Sequence, residues 1–246
     1  MTASITKDGL DALRAELSLS EIMRLIERTA RWVDPETFRL LPVWYPEYRR
    51  RGLFYKSDWS EPQLNRNRET GVTIHKFEGN RYANRALTHA LGLRSDDRPN
   101  WSCCHIWGVD DVTYASTNLV VQDARYYSCV ANMVLLPTPL KAFTDVMPAV
   151  KAMLRACAFH TYAWRCEHDA VSSIEVLAAG HDNAYPTSWP NDHRGGLPLG
   201  TMELTPAIRR DASRRLDRIR RDLLEAGEYY PREQVRAVAE YWKIAI

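Results

Sequence analysis

The chain has 246 residues, 45% of them hydrophobic and 26% charged, which is enough to bury one large core or two small ones and argues against overall disorder. Its mean hydropathy of −0.42 and the lack of any run of about 18 apolar residues exclude a membrane-spanning helix. A formal charge of +2, from 33 basic and 31 acidic residues, argues against bulk polyanion binding by the whole chain, so the placement of charge carries the information.

The first 21 residues hold no basic stretch followed by an apolar one, so no secretory signal is visible and a cytoplasmic setting is expected. The five cysteines, Cys103, Cys104, Cys129, Cys157 and Cys166, form an odd set without a CxxC pair. Reduced, buried thiols are expected, rather than a disulfide framework or a zinc knuckle.

In chain order, residues 20–33 place Ile22, Leu25, Ile26 and Val33 at helical spacing behind Ser20 as N-cap. Residues 34–67 show no period and mix Trp44, Tyr45, Tyr48, Phe54, Tyr55 and Trp59 with prolines and arginines. Such a stretch is expected to pack on the core as an arm, the alternative being a surface that stacks and clamps nucleic acid. Residues 72–77 alternate as a strand, and Tyr82, Ala86, Leu87, Ala90 and Leu91 form one face of a helix closed by Gly92, with Arg81, Arg85 and His89 opposite.

Two β-rich runs at 101–107 and 112–121 predict a hairpin. After residues 132–145, Val146, Val150, Met153, Leu154, Cys157 and Ala158 share a helix face, with Asp145 as N-cap and Pro148 in the first turn. Residues 172–178 read as a further strand and 181–200 as a loop. The last 40 residues read as two helices, the first carrying Ile208, Ala212, Leu216, Ile219 and Leu223 inward and its arginines outward.

No linker divides the chain, so residues 1–246 are expected to form a single domain. Within it, 1–95 make a helical and aromatic/basic arm, 96–165 a central core, and 166–246 a loop and C-terminal basic helices. Residues 48–85 hold nine Lys/Arg against four Asp/Glu, and residues 207–221 hold seven arginines against two aspartates. Arg49, Arg50, Arg51, Arg81, Arg85, Arg214, Arg215 and Arg218 thus form two candidate DNA-binding walls, joined by Arg66, Arg68 and Lys76. The ordinary alternative is a solvated face whose charge is dissipated by Asp211, Asp217 and Asp222 at helical spacing.

The residues that carry chemistry are Cys104-His105-Ile106-Trp107 and, 27 residues after the histidine, Asn132-Met133-Val134-Leu135-Leu136-Pro137 followed by Leu140, Phe143 and Asp145. A histidine near neutral pKa can deprotonate water when its other ring nitrogen is held by a carbonyl or carboxamide, and an asparagine can pin backbone across a hairpin. Over residues 101–146 the pattern resembles the HNH (His-Me finger, ββα-metal) endonuclease family. The resemblance implies an α+β fold, mostly helical around a ββα hairpin-helix core, and hydrolysis of DNA phosphodiester bonds, with restriction or defence as the setting. It implies His105 as base, Asn132 after the second strand as the residue that holds the hairpin, and a divalent metal, Mg2+ or Mn2+ ahead of Zn2+.

Two positions depart from the family. Where it often places metal ligands, this chain has Cys104 and Lys141. Lys141 would supply fixed positive charge to the phosphate in place of the metal, or mark a scaffold that has lost catalysis and only binds nucleic acid. Cys104, Asp123 and Asp145 are the remaining metal-ligand candidates. RNA is a second partner compatible with the basic walls, no membrane partner is expected, and a homodimer follows if both strands of a duplex are cut.

Three further features bear on function. The clusters His181-Asp182-Asn183 and Asn191-Asp192-His193-Arg194-Gly195-Gly196 are a candidate metal or DNA-closing loop, against the plainer reading of solvated turns. A small-molecule enzyme using Cys103 or Cys104 lacks a third member to orient its base. His160 and His168 are read as structural.

Overall fold

The computed structural model describes residues 9–108, 118–176 and 183–246. The element order is α1 (Gly9–Glu16), α2 (Leu19–Thr29), β1 (Trp32–Val33), α3 (Pro35–Leu40), β2 (Leu64–Arg66), β3 (Thr73–His75), α4 (Arg81–Ala90) and β4 (Trp101–His105). It continues with α5 (Ala124–Tyr127), β5 (Met133–Pro137), α6 (Thr138–Val146), α7 (Pro148–Tyr162), β6 (Thr201–Met202), α8 (Pro206–Glu225) and α9 (Arg232–Tyr241). The architecture is α+β, with short two-stranded pairings set among helices.

The centre is the antiparallel pair β4–β5, with Cys104 opposite Val134 and His105 opposite Met133. Met133, Val134, Leu135 and Leu136 are all buried, the continuous apolar run expected of a strand covered on both faces. On its other side β5 meets Arg31, whose N–H and carbonyl exchange hydrogen bonds with Leu135 at 2.9 and 3.1 Å. The chain leaves β5 at Pro137 and enters α6 directly, where the Thr138 N–H donates to the Asn100 carbonyl at 2.8 Å and seats the helix beside β4. A second helix, α7, follows at once and buries Val150, Met153, Leu154, Cys157 and Ala158, as its periodicity predicts.

The aromatic arm packs on this centre. Trp44, Tyr45, Tyr48, Phe54 and Trp59 are buried. The arm is fastened by the Tyr45 N–H to Ser128 Oγ at 3.0 Å and the Arg50 N–H to the Val121 carbonyl at 2.9 Å. Strand β1 pairs in parallel with β6, bringing the C-terminal third back to the start of the chain. Gly200, at φ +82°, sits where a Cβ would lie 2.2 Å from the Ala30 carbonyl oxygen, so only glycine allows this crossing. Helix α8 is capped by Thr205, buries Ile208, Ala212 and Ile219, and packs against α3 and α4.

Several local expectations are corrected. Helix α2 starts two residues earlier, because Ser18 and Glu21 form a reciprocal capping box while Ser20 lies inside the helix. Asp145 is not the cap of α7 but lies in the last turns of α6, and Met147 occupies the cap position. The partner of β4 is β5 rather than the run at 112–121, whose residues 112–117 lie outside the described ones and whose Val120 and Val121 form a buried 3-10 turn. Residues 172–176 are turn and irregular backbone, and 177–182 lie outside the described residues. Strand β3 forms, yet it is exposed and, among the described residues, pairs with the equally exposed β2 alone.

Candidate catalytic site at the end of the central strand

His105 is the last residue of β4, where the strand turns away from its partner. Its Nε2 lies 2.9 Å from the Tyr127 carbonyl oxygen, and because a carbonyl only accepts, Nε2 carries the proton and Nδ1 keeps the lone pair. Tyr127 ends the single-turn helix α5, whose last carbonyls have no partner within so short a helix. The neighbouring Tyr126 carbonyl accepts from the Cys129 N–H at 3.4 Å and from Asn132, whose Nδ2 donates to it at 3.1 Å. Asn132 is fully buried, and its Oδ1 accepts from the Trp107 N–H at 2.8 Å while its own carbonyl accepts from the Ile106 N–H at 2.9 Å. One asparagine thus ties the exit of β4 to the turn that holds the His105 ring.

Asn132 stands before β5, not after it, in a 3-10 turn over Val130–Asn132. The α5 acceptors are main-chain carbonyls without a sequence signature of their own, although Asp123, which caps α5 through the Arg125 N–H at 2.8 Å, is a visible helix-start signal.

The electrostatics around His105 are cationic. Burial, with Arg50, Lys151 and Lys141 nearby, pushes its pKa down to about 4, against the favourable Tyr127 hydrogen bond. Arg50 and Lys141 are candidates from the sequence, whereas Lys151, buried on α7, is not. Lys141 forms an i, i+4 ion pair with Asp145 on α6, and both side chains remain partly exposed.

The metal-ligand candidates do not form an oxygen-rich set. Cys104 is buried and its thiol is pushed up to about 12, chiefly by burial, so it stays protonated at neutral pH. Asp145 is held by Lys141, and Asp123 binds its own Arg125 through Oδ2 at 2.6 Å. Among the described residues no group of three His, Cys, Asp or Glu gathers as a metal site would require. These residues do not fit the divalent ion that the resemblance implies. Burial likewise pushes the Cys103 thiol far up, which removes the activated nucleophile that a cysteine-based enzyme needs.

Of the eight arginines in the two basic walls, Arg49, Arg50, Arg51, Arg81, Arg85, Arg214 and Arg218 are exposed. Arg215 is turned inward and pairs with buried Glu47, with its Nε donating to the Trp44 carbonyl. Arg214 pairs with Asp211 and Arg218 with Asp222, so part of the α8 charge is neutralised on its own helix. In the second cluster, His181 and Asp182 lie outside the described residues, Asn191 caps the His193 N–H at 2.9 Å and Asp192 approaches His160 at 3.8 Å. That loop is a self-capped turn. No described helix is long and apolar enough to cross a membrane. Comparison with protein-family models, curated proteins and solved structures finds no match.

Proposed function

We propose that the protein is an HNH-like endonuclease that hydrolyses phosphodiester bonds in DNA. The observation that carries this reading is His105 at the end of an antiparallel strand pair that runs straight into a helix. Its ring is oriented by the Tyr127 carbonyl, and the turn that supplies this carbonyl is locked by Asn132. Nδ1 of His105 takes a proton from water as the water oxygen attacks phosphorus and the leaving sugar oxygen departs, to be protonated from solvent. Arg50, Lys141 and Lys151 supply the positive field that meets the charge building on the phosphate oxygens. Entry of a phosphate anion offsets these cations and raises the basicity of His105 from its low starting point.

The exposed arginines of the arm, α4 and α8 supply the sequence-independent attraction to the backbone. Nicking of supercoiled plasmid by the wild-type protein, lost in His105→Ala, tests this reading. A second reading, a scaffold that binds nucleic acid without cutting it, is favoured by the engagement of Lys141 with Asp145 and by the poor metal-ligand set. It is distinguished by salt-sensitive DNA binding with no cleavage under any condition.

A further inference from the structure

A cavity of about 450 Å³ opens between the aromatic arm, α4 and α8, within the range of small-ligand sites. Its lining combines tyrosine and tryptophan rings with arginines. Tyr48 and Tyr82 lie parallel with ring centroids 3.4 Å apart, and Trp59 lies 5.3 Å from Tyr48. The Arg85 and Arg215 guanidinium groups sit 5.6 and 4.6 Å from the centre of the Tyr45 ring.

The charge around the cavity is uneven. Glu47 is engaged by Arg215 and by the Tyr230 hydroxyl at 3.2 Å, while Asp211 and Asp222 pair with Arg214 and Arg218. Among the described residues no carboxylate lies within ion-pair distance of Arg85, so the lining carries one more arginine than acid. Burial and Arg85 push the pKa of His89 down, against the pull of Asp211 at 3.7 Å from its Nδ1.

This composition discriminates among ligands. A cationic ligand, which aromatic cages otherwise favour, finds the Tyr45 face already occupied by guanidinium groups. A purely apolar ligand would strip water from the arginines without replacing its hydrogen bonds. A planar ring with an attached anion satisfies both parts, the ring against the aromatic side chains and the anion at the guanidinium groups.

We propose that this cavity is a nucleotide-binding pocket, taking a base among the rings of Tyr48, Trp59 and Tyr82 and its phosphate at Arg85 and Arg214. The proposal rests on the nuclease reading only for the source of the nucleotide. In a nuclease it is a unit extruded from the strand, which would make cleavage dependent on the identity or modification of that base. Otherwise it is a free nucleotide.

Calorimetric titration of the full-length protein with the four deoxynucleoside 5′-monophosphates, the matching nucleosides and inorganic phosphate tests the pocket. A parallel titration uses a duplex carrying 2-aminopurine, whose fluorescence rises on unstacking. Saturable binding of at least one monophosphate, tighter than its nucleoside and tighter than phosphate, is expected, or a rise in 2-aminopurine fluorescence. The second response identifies the strand as the source and the first alone identifies a free nucleotide.

Arg85→Ala and Tyr82→Leu, each with wild-type circular dichroism, should weaken the response about tenfold. Glu240→Ala, exposed on α9 and outside the cavity lining, should leave it unchanged. Absence of both responses, phosphate binding as tightly as the nucleotides, or wild-type binding by both folded pocket variants would overturn the proposal. Nucleotide binding by a protein that never nicks DNA would leave the pocket standing and remove the nuclease reading, and nicking without either response would do the reverse.

Discussion

Asn132→Ala removes the side chain that joins the exit of β4 to the turn holding His105. It leaves the main-chain N–H of fully buried Trp107 without its partner and takes from the Tyr126 carbonyl the closer of its donors, leaving it the Cys129 N–H at 3.4 Å. One unsatisfied buried group costs about 1–3 kcal/mol and one lost hydrogen bond about 0.5–1.5 kcal/mol, so a total loss of about 2–4 kcal/mol is expected. For a chain of this size that corresponds to a fall in Tm of roughly 4–16 °C by differential scanning calorimetry.

Asn132→Asp separates the hydrogen bonds from the shape. Its carboxylate still accepts from Trp107 but sets negative charge against the Tyr126 carbonyl oxygen. Burial raises its pKa in the folded state above the unfolded value, so protonation at falling pH favours the native state and restores a donor toward Tyr126. Relative to wild type, the variant should therefore regain stability as pH falls from 7 toward 4. A Tm for Asn132→Ala within 2 °C of wild type, or an Asn132→Asp deficit that does not shrink on acidification, would show that Asn132 does not hold the two segments together.

Other expectations follow from the same contacts. Because the folded pKa of His105 is about 4 against an ordinary 6.5, the unfolded chain binds more protons between those values. Stability should then rise with pH across that window by about 3 kcal/mol from this residue, and His105→Gln should flatten that part of a urea-denaturation series; an unchanged slope would contradict it. Arg215→Met leaves Glu47 charged and buried, so a loss of about 3–5 kcal/mol is expected, recovered largely in Glu47→Gln/Arg215→Met; a variant as stable as wild type would contradict the inward pairing. The five buried cysteines should resist iodoacetamide in the native state and react fully in denaturant, and fast native labelling of Cys103 or Cys104 would contradict their raised pKa. Since the metal-ligand candidates are engaged elsewhere, plasmid nicking should persist in EDTA, and its abolition would show that the cations around His105 do not suffice.

The helices with an apolar stripe, α4 and α8, were legible in the sequence because burial of one face imposes the helical period directly, whereas α7 is buried on most sides, Lys151 and Arg155 included. The cap of α2 was misplaced because two serines stand two apart, and the Ser18–Glu21 reciprocity decides between them. The pairing of β4 with β5 across 27 intervening residues at its Met133–His105 end was obscured by the nearer β-rich run at 112–121. Of the site, His105 and Asn132 were legible as a pair of residue types in a known frame. Their actual partners are main-chain carbonyls of Tyr127 and Tyr126, which carry no side-chain signature. Likewise, nothing local marks Arg215 as internal, because its partner Glu47 lies 168 residues away and the arginine shares a helix face with exposed ones.

The most direct measurement is nicking of supercoiled plasmid, unmodified and base-modified, by wild-type protein and by His105→Ala with matched circular dichroism, across pH 5–8. His105→Ala is expected to lower the wild-type rate by at least about a hundredfold, the scale of a lost general base. Nicking by His105→Ala at the wild-type rate would contradict it.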